Sequence, residues 1–338
     1  MRTFLTVMLV AAWIAIPAAH AASPTNQPSV PMVSSNLPPV ASDPVEMELK
    51  KITDDEEAFV AEVAQWIAEG GRTNSPEARA GLKLRIDKRQ EAVGKAYAGF
   101  IQRHPRHTSG RIAYADFQMG TGNEDGARET LENALLTDTN NAAVYSGLGH
   151  LYTHTGPVRK AFDCFARAVE LDPREPEYFQ NFGTLVYLFR RDAMEIYGIT
   201  EQQVFDKAMN LYSNWLRLDP TNFPAACDVA SSYFGIRPLR AGDALKSWTN
   251  ALSLARNAVE QEEVRLNIAR IQIAARQFAA ARASIDSVTN AALAGTKQRL
   301  LRAVRTREME ACGTNAPPAT GGAKEGDPVP RALPDAGR

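Results

Sequence analysis

Cysteine is scarce in this chain: Cys164, Cys227 and Cys312 are the only three. An odd number, widely spaced and without a C-x-x-C pair, excludes both a disulfide framework and a zinc knuckle. Cys164 and Cys227 read instead as small buried or half-buried hydrophobes on helices, and Cys312 as a free thiol in a tail. An excess of one charge sign is also missing. Lys and Arg number 38 against 39 Asp and Glu, for a net charge of −1, and there is no basic stripe or run of like charge of the kind that attracts a polyanion. That leaves no footprint for a nucleic acid or an anionic membrane. Catalytic signatures are lacking too: no G-x-S-x-G elbow, no G-x-x-x-x-G-K-[ST] phosphate loop, no Rossmann glycine run. The chain therefore reads as non-enzymatic and without a cofactor. The acids Asp54-Asp55-Glu56-Glu57 lie near an expected helix start, where the helix dipole favours them without any further role.

A long apolar run is absent as well. The longest, Phe4 to Ile16, has thirteen mostly apolar residues, short of the roughly 20 that span a bilayer. Arg2 before it, Pro17 after it and Ala19-His20-Ala21 beyond give the pattern of a cleavable export signal over residues 1–21. No cysteine follows to carry a lipid, so the expected location is periplasmic or secreted, with no membrane insertion after cleavage. Residues 22–43 carry five prolines, and residues 313–338 carry five prolines and five glycines with almost no large apolar side chain. Both 22–43 and 312–338 read as disordered.

The remaining sequence is helical in its periodicity, with apolar residues at three and four spacing and no alternating strand. Within it a frame of about 34 residues starts at Ala142. Tyr145, Leu148, Gly149 and Tyr152 fall on a first helix. Gly156 and Pro157 break it, Ala161, Phe165 and Ala168 fall on a second helix, and Pro173 ends the unit. One period earlier the same positions hold Tyr114, Ala115, Gly122, Ala127, Leu131 and Ala134. One period later they hold Phe179, Phe182 and Gly183.

These residues resemble the signature of the tetratricopeptide repeat family, which places an aromatic, Leu-Gly, Tyr, Gly, Ala, Phe, Ala and Pro at such spacings. The resemblance implies an all-α, right-handed solenoid of helix-turn-helix repeats with helical caps. About five units cover 108–290. Two weaker ones are marked by Val229, Ala230, Tyr233, Ala244, Trp248 and Ala251, and by Ile268, Ala269, Ala281, Ile285 and Val288. Residues 44–107 form an N-terminal hairpin cap, with Gly70-Gly71 closing its first helix and Ser75-Pro76 opening its second. Residues 291–311 form a charged C-terminal capping helix.

After Gly183 the frame slips by thirteen residues, because the second helix resumes only at Ala208, Tyr212, Trp215 and Pro220. The extra sequence, about 190–203, predicts two lengthened helices that project as a finger, with Gly198 as a cap and Thr200 with Gln203 as a capping box. Ile196, Tyr197, Val204 and Phe205 near its tip either meet a neighbouring protein or close the hairpin on itself or on the N-terminal helices.

In the family the first helices line a concave groove for a peptide or partner helix. Carried over by frame position, the lining is Asp116, Met119, Ser146, His150, Gln180, Asn181, Thr184, Tyr187, Asp228, Ser231, Asn267 and Arg270. The family's two-carboxylate clamp is not matched, since His150 and Thr184 stand where asparagine is expected. His150 and His154 share a helix face, with Asp116 equivalent to His150 one unit earlier. This spacing would suit a metal, although the pattern fits groove lining better. The expected function is an exported scaffold that binds a protein or peptide in the cell envelope. A structural subunit of a membrane-associated assembly is the alternative, and a metal-handling protein a lesser one.

Overall fold

A computed structural model describes residues 43–70 and 75–311. The expected signal peptide, nearly all of the linker, Gly71, Cys312 and the C-terminal tail lie outside the described residues. Among those described, all regular structure is helical, arranged as consecutive antiparallel hairpins in two compact units, up to Asp172 and from Pro173 onward.

The first unit opens with α1 (Pro44–Gly70) and α2 (Pro76–Arg103), which pack as a hairpin. Ser75 Oγ accepts from the Ala78 amide, and Pro76 occupies the first turn, so α2 starts where the sequence expects. Between the two helices lie Leu49, Ile52, Phe59, Val63 and Trp66 of α1, with Val93, Tyr97 and Phe100 of α2. The acidic run from Asp54 to Glu57 does not sit at the start of α1. Asp55 and Glu62 reach across to Arg89, and Glu56 accepts from the Tyr97 hydroxyl. Since α1 begins at Pro44, these carboxylates fall in mid-helix, where they pair with the neighbouring helix rather than with the dipole. Burial pushes the Glu56 carboxyl above its ordinary value.

Two hairpins follow: α3 (Thr108–Gly120) with α4 (Glu124–Thr137), and α5 (Ala142–Thr155) with α6 (Val158–Leu171). Their contact follows the repeat frame. Leu148, Tyr152, Ala161, Phe165 and Ala168 are buried, as are Ala127, Leu131 and Ala134 one period earlier. A Cβ on Gly149 would stand 2.8 Å from the Phe165 ring, so the close approach of α5 to α6 requires glycine. The joint between hairpins is a hydrogen-bonded turn. Asn141 Nδ2 donates to Asp138 (2.9 Å) while its Oδ1 accepts from the Val144 amide (3.2 Å), capping α5.

The second unit begins with α7 (Pro176–Leu188), followed by α8 (Arg190–Tyr197) and α9 (Glu201–Leu218). Gly183 stands to Tyr212 as Gly149 stands to Phe165: a Cβ there would lie 2.8 Å from the ring. The frame thus resumes across the insertion. The insertion itself departs from the expected finger. The helix breaks at Phe189 (φ −97°, ψ 45°), so α8 is a separate short helix rather than a continuation of α7. Gly198 ends it in the left-handed region (φ 63°), and Thr200 with Gln203 forms the capping box that starts α9. Ala193, Val204 and Phe205 are buried, Ile196 and Tyr197 are half-buried, and Arg190 pairs with Glu201 at 3.0 Å. Apolar residues in the insertion are consumed inside the unit, which is why no projecting apolar tip forms.

The chain continues through α10 (Phe223–Ser232), α11 (Ala241–Leu254), α12 (Ala258–Ala274) and α13 (Phe278–Asp286) to α14 (Ala294–Ala311). Asp219 and Asn222 repeat the Asp138–Asn141 joint, at 2.8 Å, with Asn222 Oδ1 accepting from the Ala225 amide. Buried Glu262 accepts from the amides of Thr289 (3.1 Å) and Asn290 (2.8 Å), which fixes the loop before α14 and holds its carboxyl below its ordinary value. The last helix is more than a polar cap. Val304 is buried, Leu300, Leu301 and Ala303 pack on Ile273, Ala281 and Ile285, and Glu308 pairs with Arg282.

Candidate functional site

The twelve expected groove residues fall in both units. In the first unit, Asp116 is exposed and Met119 half-buried on α3, while on α5 His150 is half-buried and Ser146 buried. Ser146 is therefore a packing residue, because its face of α5 turns toward neighbouring helices. The His150 ring lies edge-on to Phe165, with centroids 5.1 Å apart. Burial, and secondarily His154, holds His150 down at about 4, so it is a neutral polar group at physiological pH. Among the described residues, no three His, Cys, Asp or Glu side chains gather as a ligand set. Cys164 and Cys227 are half-buried thiols pushed up to about 11 by burial.

In the second unit, α7 carries Gln180, Asn181, Thr184 and Tyr187, all half-buried. Two of them are already engaged. Tyr187 donates to the Ser232 carbonyl at 2.8 Å and packs on Phe205, with centroids 5.9 Å apart, while Thr184 lies 3.2 Å from the Tyr212 hydroxyl. Tyr187 thereby ties α7 to the end of α10, which makes it a structural strut. Asn181 differs: its amide nitrogen Nδ2 is buried with no hydrogen-bond partner among the described residues. Asp228 and Ser231 are solvent-accessible on α10, and crowding by neighbouring protein raises the Asp228 carboxyl. On α12, Asn267 Oδ1 accepts from Arg270 at 3.2 Å.

Arg270 is where the expected lining meets a formed cavity. Its guanidinium stacks 4.4 Å over the Phe234 ring, on the wall of a pocket of about 910 Å³ inside the second unit. Desolvation lowers its pKa from the ordinary value. Three other walls complete the pocket. Arg237 comes from the linker between α10 and α11, Arg276 from the turn joining α12 to α13, Phe278 from the start of α13, and Arg299, Arg302 and Arg307 from α14. Among the described residues, only Arg307 of these six arginines pairs with a carboxylate, that of Glu310 at 3.1 Å. Arg237 donates to the carbonyls of Phe234 (2.7 Å) and Ile236 (2.9 Å).

The composition holds no basic run, yet the fold concentrates six arginines around one pocket. Sequence reasoning found Arg270 and missed the other five. Part of the signal was present, since Arg299 and Arg302 stand one turn apart on α14 and Arg307 lies about two turns beyond Arg299. The rest was not, because Arg237 and Arg276 reach the pocket only through the path of two connecting turns.

The insertion helps to build this place. Arg240 Nε and Nη2 donate to Gln202 Oε1 at 3.2 and 2.8 Å, Arg240 Nη1 pairs with Asp206, and Gln202 Nε2 donates to the Arg237 carbonyl at 2.6 Å. The start of α9 thereby holds the linker that brings Phe234 and Arg237 to the pocket.

No protein-family model matches the chain. An uncharacterised Haemophilus influenzae protein is 30% identical over 107 residues, which cover 32% of this chain and 56% of that protein. The match thus spans little more than half the length of that relative. Photosystem I assembly protein Ycf3 of Prochlorococcus marinus is 25% identical over 135 residues, covering 37% of this chain and 78% of that one. Among solved structures, the C-terminal part of a TPR repeat-containing protein from Cytophaga hutchinsonii aligns with TM-score 0.51 and 17% identity, over 77% of this chain and 98% of that one. That likeness shows the fold alone: an all-α solenoid class built of tetratricopeptide hairpins.

Proposed function

We propose that the chain is an exported scaffold that holds a peptide, or a segment of a partner protein, in the cell envelope. The observation that carries this reading is Asn181, on a first helix at an expected lining position, with a buried amide donor that no group among the described residues satisfies. A buried donor without a partner costs about 1–3 kcal/mol, and a ligand carbonyl is the group that would recover it. The hydrogen-bonding side chains beside it, Gln180 and Thr184 on α7, are of the kind that engages an extended backbone. The reading requires no catalytic step. The relative from Prochlorococcus is by name an assembly protein, which supports a role in handling another protein. The permanent-subunit alternative drew on a projecting finger and on the caps, and the inward packing of Val204 and Phe205 weakens the first of these grounds.

Two measurements test the two halves. Protein recovered from the periplasm should begin at Ala22, and recovery only as uncleaved cytoplasmic chain would remove the envelope from the proposal. Affinity capture from envelope extracts should yield a partner with the wild-type chain and lose it with Asn181→Leu. That variant deletes an unpaired donor at similar volume and so should unfold no earlier than the wild type. Equal capture by both would sink the groove as the binding surface.

A further inference from the structure

We propose that the arginine-lined pocket of the second unit binds an acidic, partly apolar segment of a polypeptide. The proposal deepens the scaffold reading by naming the chemistry of its ligand, and it rests on that reading.

Charge is the first observation. Five of the six arginines around a pocket of about 910 Å³ have no carboxylate partner among the described residues. Such a gathering of like charge repels itself unless an anion is present, and guanidinium favours planar carboxylates through paired N–H donors. In a chain whose net charge is −1, this positive patch is local. It provides no long-range field for a polyanion, but it does suit a discrete anionic segment.

The second observation is independent of charge. Arg276 sits at φ 60°, the left-handed region, as the C-terminal residue that turns α12 into α13. Its amide donates to the Ile273 carbonyl at 3.0 Å, and the next amide, of Gln277, reaches Gln272 at 2.8 Å, so the turn is a helix cap of the kind that favours glycine. A side chain there costs roughly 1 kcal/mol or more. Local folding gains nothing from arginine at that position, whereas the pocket gains a cation on its rim.

The walls themselves favour a polypeptide over phosphodiester. Phe234, Leu239, Ile273 and Phe278 line the same cavity as the guanidinium groups, and Arg270 already covers the Phe234 ring that a nucleobase would need for stacking. A lining that holds both cationic and apolar side chains matches a segment that carries both carboxylates and aliphatic side chains.

The test uses the full chain and a fluorescein-labelled peptide of alternating glutamate and leucine, with a lysine–leucine peptide as control. The acidic peptide should bind the wild type, weaken as salt is added, and outcompete the lysine control. Arg302→Glu should reduce its affinity about tenfold or more. Arg276→Gly should weaken binding severalfold while leaving Tm equal or higher, a combination that a merely structural arginine would not give. Unchanged affinity in both variants would overturn the proposal. So would displacement of the peptide by a single-stranded oligonucleotide at lower concentration than unlabelled acidic peptide, or equal binding of the lysine control. If Arg302→Glu still captures the envelope partner that Asn181→Leu loses, the scaffold reading stands and this inference falls. If the acidic peptide binds but no partner is captured, the reverse holds.

Discussion

At the scale of the residue, His150 shows how far position outweighs side-chain type. Paired with His154 on one helix face, it looked from spacing alone like half of a metal site. In the structure its ring is enclosed against Phe165 and its pKa falls from 6.5 to about 4. The folded chain therefore takes up this proton less readily than the unfolded chain. The stability that follows is present in full above 6.5 and is lost as the pH falls toward 4. The full effect is on the order of 3 kcal/mol. Urea unfolding from about pH 7 down to about pH 4.5 should show wild-type stability falling more steeply than that of His150→Asn, which has no imidazole to protonate. Parallel slopes would mean that the ring is hydrated and free to titrate as in the unfolded chain.

At the scale of the element, the thirteen-residue insertion and the linker after α10 work as one piece. Gln202 and Asp206, in the first two turns of α9, grip Arg240 and the Arg237 carbonyl. Arg240→Ala should leave the hairpins folded, as it removes one half-buried linker side chain and none of the apolar contacts between the helices. It should nevertheless weaken binding of the acidic peptide by loosening Phe234 and Arg237, to an extent comparable with a direct pocket substitution. Unchanged peptide affinity would show that the linker holds its path without the insertion. The hairpins were legible in the sequence because their packing rests on local spacing. Gly149 against Phe165 and Gly183 against Tyr212 occupy equivalent frame positions, and small-residue contacts of this kind leave a periodic trace. The insertion was legible in its caps, Gly198 and Thr200–Gln203, but not in its direction, which depends on a helix break at Phe189 that no glycine or proline announces. The pocket was the least legible. Its arginines range from Arg237 to Arg307, and periodicity within one helix unites only the three on α14. Asn181 emerged as a lining residue from the frame, while its unsatisfied donor emerged only from the packing around it.

At the scale of the whole molecule, two kinds of cohesion are separated along the chain. The first unit is held at its start by ions and rings, where Arg89 of α2 bonds Asp55 at 2.9 and 2.6 Å and Glu62 at 3.2 Å over a core that includes Phe59, Trp66 and Tyr97. The second unit carries every wall of the arginine pocket, none of which comes from residues before Phe234. In repeat architectures stability is close to a sum of unit and nearest-neighbour contributions, so damage stays local. Arg89→Ala leaves the Asp55 and Glu62 carboxylates without their shared cation, and should destabilise the α1–α2 hairpin by about 1–2 kcal/mol. Hydrogen exchange should consequently speed up in residues 44–103, while amides from α10 to α14 keep their wild-type protection. Affinity for the acidic peptide should be unchanged, because no pocket residue depends on that hairpin. If exchange instead accelerates evenly to the end of α14, the chain unfolds as one cooperative body, and a lesion in the first hairpin reaches the pocket through global stability rather than through contact.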